Sequence, residues 1–110
     1  MAEAKIQLFD HELQNLAALF KALGHPARLQ ILKFLAEKNA CFSGDITEEV
    51  PLGRTTVNQH LNELKKAGLI QGHVSGTKTN YCLSPEGIRL LSKGVNAFIN
   101  QLSDCECGEC

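Results

Sequence analysis

Two stretches, one near each end of the chain, carry apolar residues at alternating spacings of three and four. They are Ile6, Phe9, Leu13, Leu16, Phe20 and Leu23 at the start, and Ile88, Leu91, Val95, Phe98 and Leu102 at the end. Such spacing is a heptad seam down one face of a helix. In a chain of 110 residues, the usual size of one compact domain, two seams are more apolar face than the short segments between them can cover. Part of each helix must pack on the protomer's own core. The remainder would be a large apolar patch on a monomer, so the seams are expected to meet across a two-fold axis in a homodimer.

Between the seams the chain is closely punctuated. Gly24 is placed to end the first helix, and His25, preceding Pro26, is pushed out of the helical region. Pro26 suits the first position of a second helix reaching Glu37, with Leu29, Ile31, Leu32, Phe34 and Leu35 as a broad buried stripe. Ser43 is expected to cap a short third helix over 44–50, with Asp45 favoured in its first turn by the helix dipole. Pro51-Leu52-Gly53 then turns into a fourth helix from Arg54 to Ala67, closed by Gly68. Short helix, glycine-containing turn and longer helix make a helix-turn-helix. Strands are expected over Leu69 to His73 and Lys78 to Leu83, joined through Ser75-Gly76-Thr77 as a hairpin. Ser84 and Pro85 start the last helix as N-cap and first-turn proline. The predicted fold is mainly α with a small β-hairpin wing: a winged helix-turn-helix over residues 1–102 that dimerises through its first and last helices. An acidic, cysteine-rich tail follows over 103–110.

Composition narrows the setting. No apolar run approaches the ~20 residues needed to cross a bilayer, and Met1-Ala2-Glu3-Ala4-Lys5 lacks the basic-then-apolar layout of a signal peptide. A cytoplasmic protein with no membrane partner is expected. Five cysteines there read as thiols for metal or redox chemistry rather than a disulfide framework. The formal net charge is −1, but the tail holds Asp104, Glu106 and Glu109 and no base; without it the chain has 11 basic and 9 acidic residues. From Pro51 to Asn80, Arg54, Lys65, Lys66 and Lys78 stand against Glu63 alone. Positive charge is concentrated where a nucleic acid could use it.

At roughly 100° per residue, Val57, Leu61 and Leu64 fall on one side of the fourth helix, and Thr55, Asn58, Gln59, Asn62 and Lys66 cluster opposite. A solvated face is usually rich in Glu and Lys pairs. This one offers amides and hydroxyls, the groups that hydrogen-bond base edges in the major groove of double-stranded DNA. Thr56 adds a further hydroxyl, Arg54 can reach a phosphate or a guanine, and Lys65 and Lys66 suit the backbone. His60 lies near the apolar edge and reads as a structural histidine at least as well as a contact. In the hairpin, Lys78 with Thr77, Thr79 and His73 could touch phosphate or minor groove, or form an ordinary solvated turn.

Taken together, Phe20-Lys21-Ala22-Leu23-Gly24-His25-Pro26-Ala27-Arg28-Leu29-Gln30-Ile31-Leu32, Thr56-Val57-Asn58-Gln59-His60-Leu61, Leu64-Lys65-Lys66-Ala67-Gly68-Leu69-Ile70, and Gly76 through Tyr81 with Leu83 resemble the ArsR/SmtB family of metal-responsive repressors. The resemblance spans Phe9 to Leu102. It implies a dimeric winged helix, with the first and last helices at the interface, that represses by binding operator DNA until an inducer is bound.

Family members sense through cysteine or histidine sites at several places. One uses a Cys-x-Cys pair at the start of the third helix; the matching residues here are Cys41 and Ser43, so one thiol is present. Another uses acidic and histidine ligands along the last helix, and residues 85–102 hold neither histidine nor aspartate. What remains is Cys105-Glu106-Cys107-Gly108-Glu109-Cys110. Three thiols so close can converge on one soft ion, with Gly108 letting the backbone turn. Some arsenic-responsive family members similarly carry a cysteine cluster at the end of this helix. Three thiolates in a pyramid suit trivalent arsenic or antimony, As(III) or Sb(III), ahead of Cd, Pb or Zn. A structural zinc wants a fourth ligand, which Cys41 supplies only if the fold brings it near.

The rival reading is a thiol-redox or persulfide-sensing repressor of the same fold, with Cys107 and Cys110, or Cys41 and a tail cysteine, forming a disulfide. Glu106 and Glu109 disfavour the thiolates such chemistry needs, while helping to attract a cation. Cys82, between Tyr81 and Leu83, reads as a packed wing residue. Cys107-Gly108-Glu109-Cys110 has the spacing of thiol oxidoreductases, but in those enzymes the motif opens a helix after a strand, whereas here it follows the last helix. No enzyme activity is expected.

Overall fold

The structure, a computed structural model, describes residue 5, residues 7–75 and residues 78–104. Ile6 of the first seam, Gly76 and Thr77 of the hairpin, and the tail cysteines Cys105, Cys107 and Cys110 lie outside the described residues, as does the side chain of Lys78. The elements in chain order are α1 (His11–Leu23), α2 (Pro26–Glu37), β1 (Cys41–Phe42), a 3-10 turn (Ile46–Glu49), α3 (Arg54–Lys66), β2 (Ile70–Ser75), β3 (Lys78–Leu83) and α4 (Pro85–Ser103).

Most boundaries follow from local chemistry. Pro26 opens α2, with the His25 side chain as its cap: Nδ1 accepts from the Ala27 N–H at 3.0 Å. Ser84 caps α4 in the same way, its Oγ accepting from the Gly87 N–H at 3.1 Å. Gly24 does end α1, yet in ordinary backbone with φ −81°. Among the described residues the left-handed glycine is Gly68, at φ 78°, which turns the chain out of α3 and into β2. The expected third helix is a 3-10 turn, and its cap is Asp45 rather than Ser43, with Oδ1 accepting from the Thr47 N–H at 3.0 Å. Both residue types cap helices; what selects Asp45 is a second partner, described below.

The hairpin is longer and the sheet wider than expected. β2 runs on to Ser75, and β3 pairs on its other side with β1, giving the antiparallel order β1-β3-β2. In register, Cys41 faces Cys82 and Phe42 faces Tyr81. The core lies where α2, α3 and the sheet meet, built on Ile31, Leu35, Ile46, Val50, Val57, Leu61, Leu64, Leu69 and Ile70.

The start of α4 is pressed onto the turn after α3. A Cβ on Gly87 would collide with the Gly68 carbonyl, and the Ser84 N–H donates to Leu69 O at 2.9 Å. Farther along, Gly94 comes close to Leu16 of α1. Ile88 and Leu91 pack on the core, but no residue of α4 is fully buried; Leu90, Ile99 and Leu102 are 51%, 52% and 61% exposed. On α1, Leu13 and Phe20 are also exposed, as is Phe9 just before it. Among the described residues, no helix is long and apolar enough to cross a membrane.

Candidate nucleic-acid interface

The inner side of α3 is committed to the core through Val57, His60, Leu61 and Leu64. That commitment fixes the rotation of the helix and leaves Thr55, Thr56, Asn58, Gln59, Asn62, Lys65 and Lys66 exposed on the other side. Lys66 lies 3.7 Å from Glu63, a loose pair in open solvent that leaves its charge available. The amide-and-hydroxyl face expected from the sequence is therefore a continuous outer surface.

Arg54 is less free. Its Nη2 donates to Asp45 Oδ2 at 2.7 Å, and Asp45 also accepts from the Thr47 hydroxyl and N–H. The Arg54 and Thr47 hydrogen bonds hold the Asp45 carboxyl down to about 2, and its partnership raises the Arg54 pKa in turn. This pair ties the start of α3 to the 3-10 turn before it, across the glycine-containing turn. Arg54 and Asn58 line a cleft of about 360 Å³ together with Ser43, Asp45, Thr47 and, from the wing, Thr79 and Tyr81.

On the inner side, His60 forms a connection that no local pattern announces. Arg28 Nε donates to His60 Nδ1 at 3.0 Å, while Arg28 Nη1 donates to the Lys21 and Ala22 carbonyls at the end of α1. The His25 ring stacks at a tilt on His60, with centroids 4.3 Å apart. Burial lowers the His60 pKa, and the nearby His25 and Arg28 lower it further. An imidazole accepting at Nδ1 carries its proton at Nε2, which is buried without a partner. Neutral His60 thus joins α3 to the corner between α1 and α2, in keeping with a structural role.

The cysteines are placed differently from expectation. Cys41 and Cys82, Cα partners across β1 and β3 at 4.0 Å, are joined as a disulfide. Cys41 is thus paired within the wing sheet rather than open to an ion or to a tail cysteine, and Cys82 is more than a packed wing residue. A strand of two residues has no periodicity to read, so the juxtaposition was invisible in the sequence. Among the described residues, no three His, Cys, Asp or Glu converge as a metal cluster.

A helix-turn-helix with an exposed polar face on its second helix and a β-hairpin beside it defines a winged-helix transcription regulator. Residues 25–71 match the model of the bacterial regulatory protein, arsR family. The chain is 36% identical over 83 residues to an uncharacterized HTH-type transcriptional regulator of Methanocaldococcus jannaschii, covering 76% of this chain and 93% of that one. It is 30% identical over 94 residues to the cadmium resistance transcriptional regulatory protein CadC of Listeria innocua, covering 84% and 79%. The crystal structure of an ArsR family transcriptional regulator superposes with a TM-score of 0.69 at 18% identity, over 83% of this chain and 89% of that one, a likeness of fold. The chain belongs to the ArsR family of transcription regulators and is not an enzyme.

Proposed function

We propose that this regulator is a homodimeric repressor that releases its operator when the thiolates of Cys105, Cys107 and Cys110 take up trivalent arsenic or antimony. The observation that carries the reading is the position of these soft donors directly after the last turn of α4, the helix that leaves Leu90, Ile99 and Leu102 uncovered. Cys41 is placed against Cys82 in the wing sheet, which leaves the three tail thiols as a set of their own. The likeness to a cadmium resistance regulator supports a soft inducer.

On the DNA side, Thr55, Thr56, Asn58, Gln59 and Asn62 read base edges, and Lys66 and Lys78 neutralise phosphates. Arg54 keeps Asp45 with one arm and offers its remaining N–H donors to a phosphate or guanine. The uncovered faces of α1 and α4 close on a second copy. Two recognition helices must lie about 34–36 Å apart to enter successive major grooves, so a small rotation of protomers spoils the fit. An inducer favouring the rotated dimer needs a coupling of about 1–3 kcal/mol to weaken binding 5- to 150-fold.

The test is anaerobic titration of reduced protein with arsenite, antimonite, cadmium, lead and zinc salts, counting bound ions and protected thiols. Labelled operator is followed by anisotropy in parallel. One arsenic per three protected tail thiols, with release of DNA lost in the Cys105→Ser, Cys107→Ser double variant, is the expected result. Normal arsenite release by that variant refutes tail sensing, and preferential response to a divalent metal reassigns the inducer.

A further inference from the structure

The Cys41–Cys82 pair stands apart from both the outer face of α3 and the tail. Neither cysteine belongs to the buried core; Cys41 is exposed and Cys82 half-buried, so small oxidants and reductants reach the bond while the core persists without it. The bond joins β1 to β3, the central strand of the sheet, and thereby ties the second arm of the wing to the segment leading into the helix-turn-helix. One register step away, Phe42 faces Tyr81, which lines the cleft with Arg54 and Asn58.

The turn that delivers Cys41 has a conformation that side chains resist. Asn39 and Ala40 have φ of 58° and 79°, the left-handed region, where a Cβ is unfavourable, especially outside Asn, Asp and Gly. Ala40 is held there by its N–H to Leu35 O at 2.8 Å and by the Leu83 N–H to its own carbonyl at 2.7 Å. The adjoining disulfide makes that hold covalent.

We propose that Cys41 and Cys82 are a reversible redox modification site, closed by a hydroperoxide, and that closure fastens the wing to the helix-turn-helix and strengthens DNA binding. One thiolate attacks a peroxide oxygen, the O–O bond breaks, and a sulfenic acid forms with release of water or an alcohol. The second thiol displaces the sulfenic hydroxyl as water and forms the S–S bond. Two thiols thus lose two protons and two electrons, which reduce the hydroperoxide; a dithiol reductant reverses the step by exchange. With the bond closed, the Asn39–Ala40 turn cannot relax, and a surface ordered beforehand loses less freedom on binding DNA. This input involves described residues alone and does not depend on tail sensing.

The experiment uses the full chain with Cys105→Ser, Cys107→Ser and Cys110→Ser, so that only the pair titrates. After hydrogen peroxide or dithiothreitol, intact mass and peptide mapping are read beside anisotropy on a labelled duplex enriched from a random library against the reduced protein. Peroxide is expected to link the Cys41 and Cys82 peptides and tighten binding about fivefold or more, the lower end of ordinary coupling between sites. Adding Cys41→Ser, at the exposed partner, should hold affinity at the reduced level under both conditions. Oxidation without that cross-link, or a cross-link without tighter binding, overturns the proposal.

Discussion

Helices α3 and α4 are both amphipathic, but they complete their apolar faces differently. In α3 the inner side is buried within the protomer, with Val57, His60, Leu61 and Leu64 all shielded. In α4 no residue is fully buried, and Leu90, Ile99 and Leu102 remain uncovered. A helix whose apolar side is satisfied internally has its rotation fixed and can present the other side to a polar ligand. A helix left half-covered still requires a partner, here a second copy in the proposed dimer.

Truncation tests this contrast most severely. In a Phe98→Glu background, which keeps the protomer single, Leu61→Ala should cost about 2–5 kcal/mol in urea unfolding, whereas Leu102→Ala should cost far less because water covers most of that side chain in the lone protomer. Equal losses would mean that α3 and α4 are covered alike, and the comparison fails.

Charge placed on the half-covered helix should act on assembly. Phe98→Glu is expected to turn a dimer into monomers in sedimentation at micromolar concentration, with DNA binding weakened because one half-site is then engaged at a time. A wild-type protein that sediments as a monomer removes the proposed partner altogether.

On α3, Gln59→Ala should relax sequence preference by about 1–3 kcal/mol at one base position. Lys66→Ala should instead weaken all sequences similarly and reduce the salt slope by about one. If both changes leave affinity and preference untouched, the outer side of α3 is not the reading surface.

The smallest effect concerns His60 and sharpens the account of the inner side. Its pKa is lowered from 6.5 on folding, so below that pH the unfolded chain takes up a proton that the folded chain refuses. The His60 contribution is therefore fully present above about pH 6.5 and is lost as pH falls toward the folded value. Urea midpoints at pH 7.5 and 5.5 should separate more for wild type than for His60→Asn, which keeps an acceptor toward Arg28 but cannot titrate. Parallel losses would assign the pH dependence to other groups.

What the sequence made legible was local or periodic. Val57, Leu61 and Leu64 mark the inner side of α3 by their spacing, and Pro26 and Ser84-Pro85 mark helix starts by chemistry confined to a few residues. What it hid depends on distant partners. Asp45 rather than Ser43 becomes the cap because Arg54, nine positions later, holds its carboxylate. Arg28 meets His60 across 32 positions, and Cys41 meets Cys82 across 41. The apolar seams were readable as residues, but how much of each the protomer covers depends on packing geometry.

In the proposed switch, the close approach of Gly87 to the Gly68 carbonyl would serve as a pivot. It sits where the recognition helix has just ended and where α4 begins, with no room for even a methyl group between the two backbones. α4 runs on from that contact to Ser103, a lever arm of about 24 Å at the ordinary helical rise. The tail follows the long end, while the recognition helix adjoins the short one. In the proposed switch a pull at the tail, applied across the arm, would act as a torque at that contact, and α4 would convey it to the DNA-facing surface without being rebuilt.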